Sequence, residues 1–299
     1  MKQKRIEMYL TWKCTNDCLF CIEYERKKRF WDKKISLETV ENLLKKEAAG
    51  GANHVTFLGG EPTLHPEFLK ILASARDLGF KTSITTNGVL FSSEEYARKA
   101  SQLLDEIVVS VHGHDKITHE ANTQRQGSFG ILLKALGNIS KYFEDKRTNT
   151  VISRFNYRSL AGIVRLADRF GIKKMTLSAL EPPAEKDFSK ARLARIAAAV
   201  PPLAEVGPHL FRAIELAEAR GIHLRVADIP FCELKDYYLK ASDLFYTNRI
   251  KISSNNRRLD RRFVAPRRRA KVKKCAGCPF DKLCSGYLEG YLKIFPHEN

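Results

Sequence analysis

Between residue 6 and about residue 180 the chain repeats one pattern, a short run rich in β-branched residues followed by a segment of helical period. Six runs qualify as strands: Ile6 to Leu10, His54 to Leu58, Lys81 to Thr85, Glu106 to Val111, Thr148 to Ser153 and Lys174 to Ser178. The intervening segments read as helices. Ser36 is a plausible N-cap ahead of Val40, Leu43 and Leu44, which share one face. Further helices are expected over Pro66 to Leu78, Ser92 to Leu104, Ser128 to Phe143 and Ser159 to Phe170, with Gly79 and Gly171 as stops. Strands that alternate with helices must be joined by crossovers. The pattern therefore dictates an α/β fold with a parallel sheet, and places functional residues at the carboxyl ends of the strands.

Beyond residue 182 the pattern changes. Residues 183–228 read as a connecting segment, with a helix from Pro208 to Arg220 stopped by Gly221 and a short strand near His223 to Ala227. Residues 229–299 hold four of the seven cysteines and a basic run: positions 249 to 274 carry twelve Lys or Arg against one acid, Asp260. The whole chain has 52 basic and 34 acidic residues, a net charge of +18. Such an excess points to an anionic partner such as nucleic acid, a nucleotide or an acidic peptide, or else to a solvated surface. No apolar run approaches the roughly twenty residues of a membrane span. The basic start, Met1 to Arg5, precedes a strand too short for a signal sequence, so a cytoplasmic protein with no membrane partner is expected. In a reducing compartment, cysteines grouped three early and four late argue for metal or redox use over disulfides.

The early group is Cys14-Thr-Asn-Asp-Cys18-Leu-Phe-Cys21, directly after the first strand. Three thiolates on a four-iron cluster leave one iron open to a ligand. Zinc is the alternative, but it needs a fourth ligand, and no paired Cys-x-x-Cys follows at once. After the second strand comes Gly59-Gly60-Glu61-Pro62. Glycines let the backbone approach a ligand, and a carboxylate can accept a hydrogen bond from an ammonium group. Alone, this segment would also suit an ordinary strand-to-helix turn.

Together the two motifs resemble the radical S-adenosylmethionine (SAM) superfamily, over about two thirds of the chain. That resemblance implies a partial (β/α)6 TIM-like barrel over residues 1–182, a 4Fe-4S cluster on Cys14, Cys18 and Cys21, and SAM chelated at the open iron. It further implies cleavage of SAM to a 5'-deoxyadenosyl radical that abstracts hydrogen from substrate. By position, Phe20 would lie near the adenine, although an aromatic there also suits the core. Gly59, Gly60 and Glu61 would bind the SAM amino group, and Ser110 its ribose or carboxylate. Asn149 or Arg154, on the fifth strand, would complete the pocket. Thr85-Thr86-Asn87-Gly88 ends the third strand, and Asn87 fits a turn equally well. His112, His114 and His119 follow the fourth strand as candidate acid-base groups or members of a polar loop.

Cys275, Cys278 and Cys284, with Cys232, can close either a zinc site or a second four-iron cluster. The arrangement resembles the twitch type of auxiliary-cluster extension, a shortened SPASM domain, over residues 229–299. Cys232 has other possible tasks: core thiol, substrate ligand or hydrogen-atom donor. In that case the remaining three would leave an open iron, as in the molybdenum-cofactor cyclases that the chain also distantly resembles. Expected partners are a physiological reductant and an anionic small-molecule or peptide substrate, with RNA as a further reading from charge. Because the first strand begins near residue 6, no fused N-terminal leader-binding domain is expected. A zinc-containing nucleic-acid-binding protein is the rival of another class, and it would be colourless.

Overall fold

The computed structural model describes residues 4–182, 189–241, 249–255, 258–263 and 268–296, with backbone alone over 249–255 and 258–263. Its frame is seven parallel strands: β1 (Arg5–Thr11), β2 (His54–Gly59), β3 (Lys81–Thr86), β4 (Glu106–Ser110), β5 (Lys146–Ile152), β6 (Lys174–Ala179) and β7 (His223–Ala227). Each pairs with the next in sequence. Beyond β1 the sheet continues through β8 (Arg249–Asn255), parallel to β1, and β9 (Arg258–Phe263), antiparallel to β8. The order β7-β6-β5-β4-β3-β2-β1-β8-β9 does not close on itself, so the barrel is partial.

Helices cover the sheet because their apolar residues recur at helical spacing. Between β1 and β2 lie α1 (Tyr24–Phe30) and α2 (Leu37–Ala49). Then come α3 (Phe68–Asp77), α4 (Glu94–Ser101), α5 (Lys116–Thr123), α6 (Ser128–Tyr142) and α7 (Leu160–Arg169). On α7, Leu160, Ile163, Val164 and Ala167 are buried, an i, i+3, i+4, i+7 stripe. In the sheet, Ile6, Met8 and Leu10 of β1 are fully buried. Ser36 caps α2 as expected, its hydroxyl accepting from the Thr39 N–H at 3.3 Å.

Four differences from the sequence reading have local causes. The short strand at 223–227 does not merely connect; it is the seventh strand of the same sheet. His119 lies on α5, just after His114, instead of in an irregular loop, because Asp115 caps the helix by accepting from the Thr118 N–H at 2.8 Å. The Asp-x-x-Thr spacing was the available signal. Residues 190–199 form α8 (Lys190–Ala199), capped by Ser189. The next helix, α9 (Leu203–Ala219), begins five residues ahead of Pro208, which lies inside it and forfeits one backbone hydrogen bond.

The C-terminal part holds α10 (Phe231–Leu234), a two-stranded pairing of β10 (Arg269–Ala270) with β11 (Tyr287–Leu288), and α11 (Glu289–Ile294). Within the basic run, the side chains of residues 249–267 lie outside the described residues, as does the segment 183–188. No described helix is long and apolar enough to cross a membrane.

Candidate active site

A cleft of about 310 Å³ opens where the strands end, lined from the β1 exit across to the end of β6. Cys14, Cys18 and Cys21 line it, on the loop between β1 and α1. That loop is hung by its backbone from distant elements. Asp17 and Leu19 donate their N–H groups to the Thr123 and Asn122 carbonyls at the end of α5, both at 3.0 Å. Lys27 Nζ donates to the Asn16 carbonyl at 2.6 Å, and Arg125 donates to the Thr15 carbonyl. From α8, Arg192 Nη2 donates to the Cys18 carbonyl at 2.7 Å.

The three cysteines are partly exposed to the cleft, yet loss of water pushes their thiols up, Cys14 to about 11, with Lys27 acting in the opposite direction on all three. Metal binding therefore displaces protons from these groups. Among the described residues no three His, Cys, Asp or Glu side chains converge on a single ion. The donor set suits a cluster, in which each thiolate holds its own iron. A second observation agrees: Arg192 is 3% exposed, and its Nε and Nη1 have no hydrogen-bond partner among the described residues. A buried cation with open donors at the cysteine loop fits an anionic group beside it.

Gly59 and Gly60 lie against the β1 exit. The Gly60 N–H donates to the Thr11 carbonyl at 2.8 Å and the Glu61 N–H to the Lys13 carbonyl at 2.7 Å. A Cβ at Gly59 would sit 2.3 Å from the Thr11 carbonyl oxygen, and one at Gly60 2.3 Å from that of Lys13; Gly59 also has φ +139°. With those two amides spent on β1, the acceptors this backbone can turn to the cleft are its carbonyls.

The Glu61 side chain, expected to grip an ammonium group, is bonded within the protein. Its Oε1 accepts from the Thr63 N–H (3.3 Å), Thr63 Oγ1 (2.7 Å) and Thr86 Oγ1 (2.7 Å), and Oε2 from the Asn87 N–H (2.7 Å). Burial raises its pKa and these donors oppose the rise. A carboxylate offers about four acceptor sites. Glu61 therefore ties the β2 exit to the β3 exit.

Asn87, which the sequence left between a ligand contact and a turn, donates from Nδ2 to Cys14 Sγ at 3.7 Å and to Thr15 Oγ1 at 3.0 Å. Nothing local in the sequence announces that contact. Phe20 lines the cleft with its ring 4.6 Å from that of His112, edge to face. His112 Nδ1 accepts from the Val151 N–H at 3.3 Å, which leaves the proton of the neutral ring on Nε2. Burial lowers the His112 pKa to about 3 and that of His119 to about 4, so both are neutral near pH 7. His119 Nδ1 accepts from the His112 N–H at 3.3 Å, and His114 Nε2 lies 3.2 Å from Asp115. Of the three, His112 alone is in the cleft lining.

Ser110 and Asn149 line the cleft too, Asn149 Oδ1 accepting from Ser178 Oγ at 3.3 Å. Arg154 does not join them. β5 ends at Ile152, and Arg154 lies exposed in the following turn, its N–H bound to the Ala199 carbonyl at 2.9 Å.

Of the late cysteines, Cys232 and Cys284 make contacts at or just before β11, and Cys275 and Cys278 share one turn. The Cys278 N–H donates to the Cys275 carbonyl at 3.1 Å, and the Gly286 N–H to Cys284 Sγ at 3.4 Å. Cys232 Sγ, on α10, is 3.7 Å from the Tyr287 hydroxyl. Burial pushes the Cys232 thiol up, and the neighbouring charges that act on it include Glu233, Lys274 and Cys284. Lys271 is influenced by both Cys284 and Cys275.

A family profile described as the Radical SAM superfamily matches residues 8–167. The chain is 29% identical over 165 residues to a protein named mycofactocin maturase MftC from Mycobacterium ulcerans (strain Agy99), covering 54% of this chain and 43% of that one. It is 28% identical over 235 residues to a PqqA peptide cyclase from Methylorubrum populi, covering 77% of this chain and 57% of that one. The chain thus spans about half the length of these curated relatives. Among solved structures, SuiB of Streptococcus suis bound to precursor peptide SuiA shares the fold, with a TM-score of 0.69 at 17% identity over 98% of this chain and 73% of that one.

Proposed function

The chain belongs to the radical SAM superfamily, and on that premise we propose that it cleaves SAM reductively and takes a hydrogen atom from a peptide substrate. The observation that carries this reading is the meeting of Cys14, Cys18 and Cys21 with Gly59, Gly60 and Glu61 in one cleft at the carboxyl ends of parallel strands. When bound, a four-iron cluster on the three thiolates supplies one electron, drawn from a physiological reductant, to break the sulfonium bond of SAM into methionine and a 5'-deoxyadenosyl radical.

The chain's own residues bind and orient. Carbonyls of the Gly59 to Glu61 backbone accept from the SAM ammonium group, while the Glu61 carboxylate keeps that backbone fixed to β3. Phe20 packs on the adenine. Ser110 and Asn149 serve the ribose or carboxylate, and His112 offers a neutral Nε2–H that stays a donor across the physiological range. Residues 229–299 form a twitch-like extension in which Cys232, Cys275, Cys278 and Cys284 hold a second 4Fe-4S cluster for electron transfer or substrate binding. A peptide substrate is supported by the similarity to a peptide cyclase over 77% of the chain. The net charge of +18 favours an acidic one.

Anaerobic reconstitution followed by iron analysis tests the cofactors: about eight irons are expected in the wild type and about half that in Cys275→Ala/Cys278→Ala, which still forms 5'-deoxyadenosine. Cys18→Ala should form none. Acidic peptides deuterated at carbon should pass deuterium into 5'-deoxyadenosine. Loaded protein that makes no 5'-deoxyadenosine refutes the activity, and turnover stimulated by nucleotides but by no peptide refutes the substrate class.

A further inference from the structure

Arg192 belongs to α8, outside the six-strand core of the motif-bearing region, and is separated by 174 residues from the cysteine whose carbonyl it holds. Its guanidinium lies 3.8 Å above the Tyr24 ring. One donor is used, on the Cys18 carbonyl, while Nε and Nη1 are sealed from water with no partner among the described residues. Among the described residues no ion pair joins it to a carboxylate; Glu23, an acid of the same loop, pairs with Arg26 at 2.7 Å. A guanidinium presents a planar fork of donors, and leaving part of that fork dry and unpaired is costly. A site that fixes a cation in this state is built for an anion that completes it.

We infer that Arg192, held on the Cys18 carbonyl, is a positioning residue of the early cysteine centre, whose open donors complete themselves on an anionic cluster beside that loop and whose charge makes that cluster easier to reduce. The inference rests on the assignment of Cys14, Cys18 and Cys21 as cluster ligands. A cluster carrying three thiolates is a net anion in either oxidation state, and reduction adds one more negative charge. A fixed cation in a low-dielectric surround stabilises the reduced form more than the oxidised one, and hydrogen bonds to cluster sulfur act in the same direction. Arg192 also clamps the Cys18 backbone, so α8 couples the geometry of the loop to the potential of the centre.

The test is a potentiometric titration of the reconstituted full chain, read by the electron paramagnetic resonance signal that changes on adding SAM, which separates this cluster from any other in the protein. Arg192→Lys keeps the charge and should titrate close to wild type. Arg192→Gln and Arg192→Met remove it, and at a fixed potential their reduced-to-oxidised ratio should fall about tenfold, equal to a shift of about 59 mV for a one-electron couple. A neutral variant that loads iron and titrates at the wild-type potential overturns the inference. Loss of iron from both neutral variants but not from Arg192→Lys would reduce Arg192 to a prop for the loop and also overturn it. If the wild type itself shows no SAM-responsive cluster, the failure lies with the ligand assignment of the early cysteines.

Discussion

Four hydrogen bonds converge on the Glu61 carboxylate, from Thr63, Thr86 and Asn87, in a position only 1% exposed. At this scale the candidate site is a set of satisfied groups that free others to face the cleft. Glu61→Ala would strand the Thr86 hydroxyl and the Asn87 N–H in a dry region, and Glu61→Gln would set an amide donor against donors. Each should lower stability by about 1 to 3 kcal/mol, visible as a lower urea midpoint of the metal-free protein, and should weaken SAM binding after reconstitution. A metal-free Glu61→Ala protein unfolding at the wild-type midpoint would show that the carboxylate is not a brace.

Among the elements, β8 has the consequence least visible in its composition. It belongs to a run read from charge as a ligand-binding or solvated segment, yet its backbone pairs with β1 from Arg5↔Arg249 to Tyr9↔Ser253. Without it, β1 would present an open edge whose Ile6, Met8 and Leu10 are fully buried. Proline at an interior position of a central strand removes a ladder hydrogen bond. Ile252→Pro, opposite Met8 in register, should therefore lower hydrogen-exchange protection of the β1 amides while β4 and β5 keep theirs. It should also raise the oligomer fraction seen by light scattering. Unchanged protection in β1 would mean that the pairing adds nothing to the stability of the sheet.

Over the whole molecule, buried imidazoles set an acid limit; His54 and His65 share it with the pair beside the cleft. His112 and His119 have folded pKa values of about 3 and about 4, depressed first by burial, against about 6.5 in an unfolded chain. As pH falls through 6.5 the unfolded state takes up protons that the folded state refuses, so stability falls with pH down to about 4. Each histidine contributes a slope of up to about 1.4 kcal/mol per pH unit. Urea midpoints measured from pH 7 to pH 5 should decline, and His119→Gln should flatten the decline. A midpoint that holds steady over that range would contradict the neutral buried pair.

The sequence by itself determined the parallel α/β frame, because strand and helix periodicities, caps and stop glycines are local signals that each segment carries alone. It also determined the two motifs at the ends of β1 and β2, since Cys-x3-Cys-x2-Cys and Gly-Gly-Glu-Pro are contiguous and together carry the resemblance that implies their chemistry. Tertiary structure alone decided what touches them. The donors on Glu61 from β3 come from 25 and 26 residues away, the amide on Cys14 from 73, and the guanidinium at Cys18 from 174. No periodicity reports such pairings, because they arise when the sheet brings strand ends together and α8 packs across them. The same reason explains why β7 and β8 could be read as isolated pieces, and why Arg154, two residues beyond the end of β5, misses the cleft that Asn149 reaches.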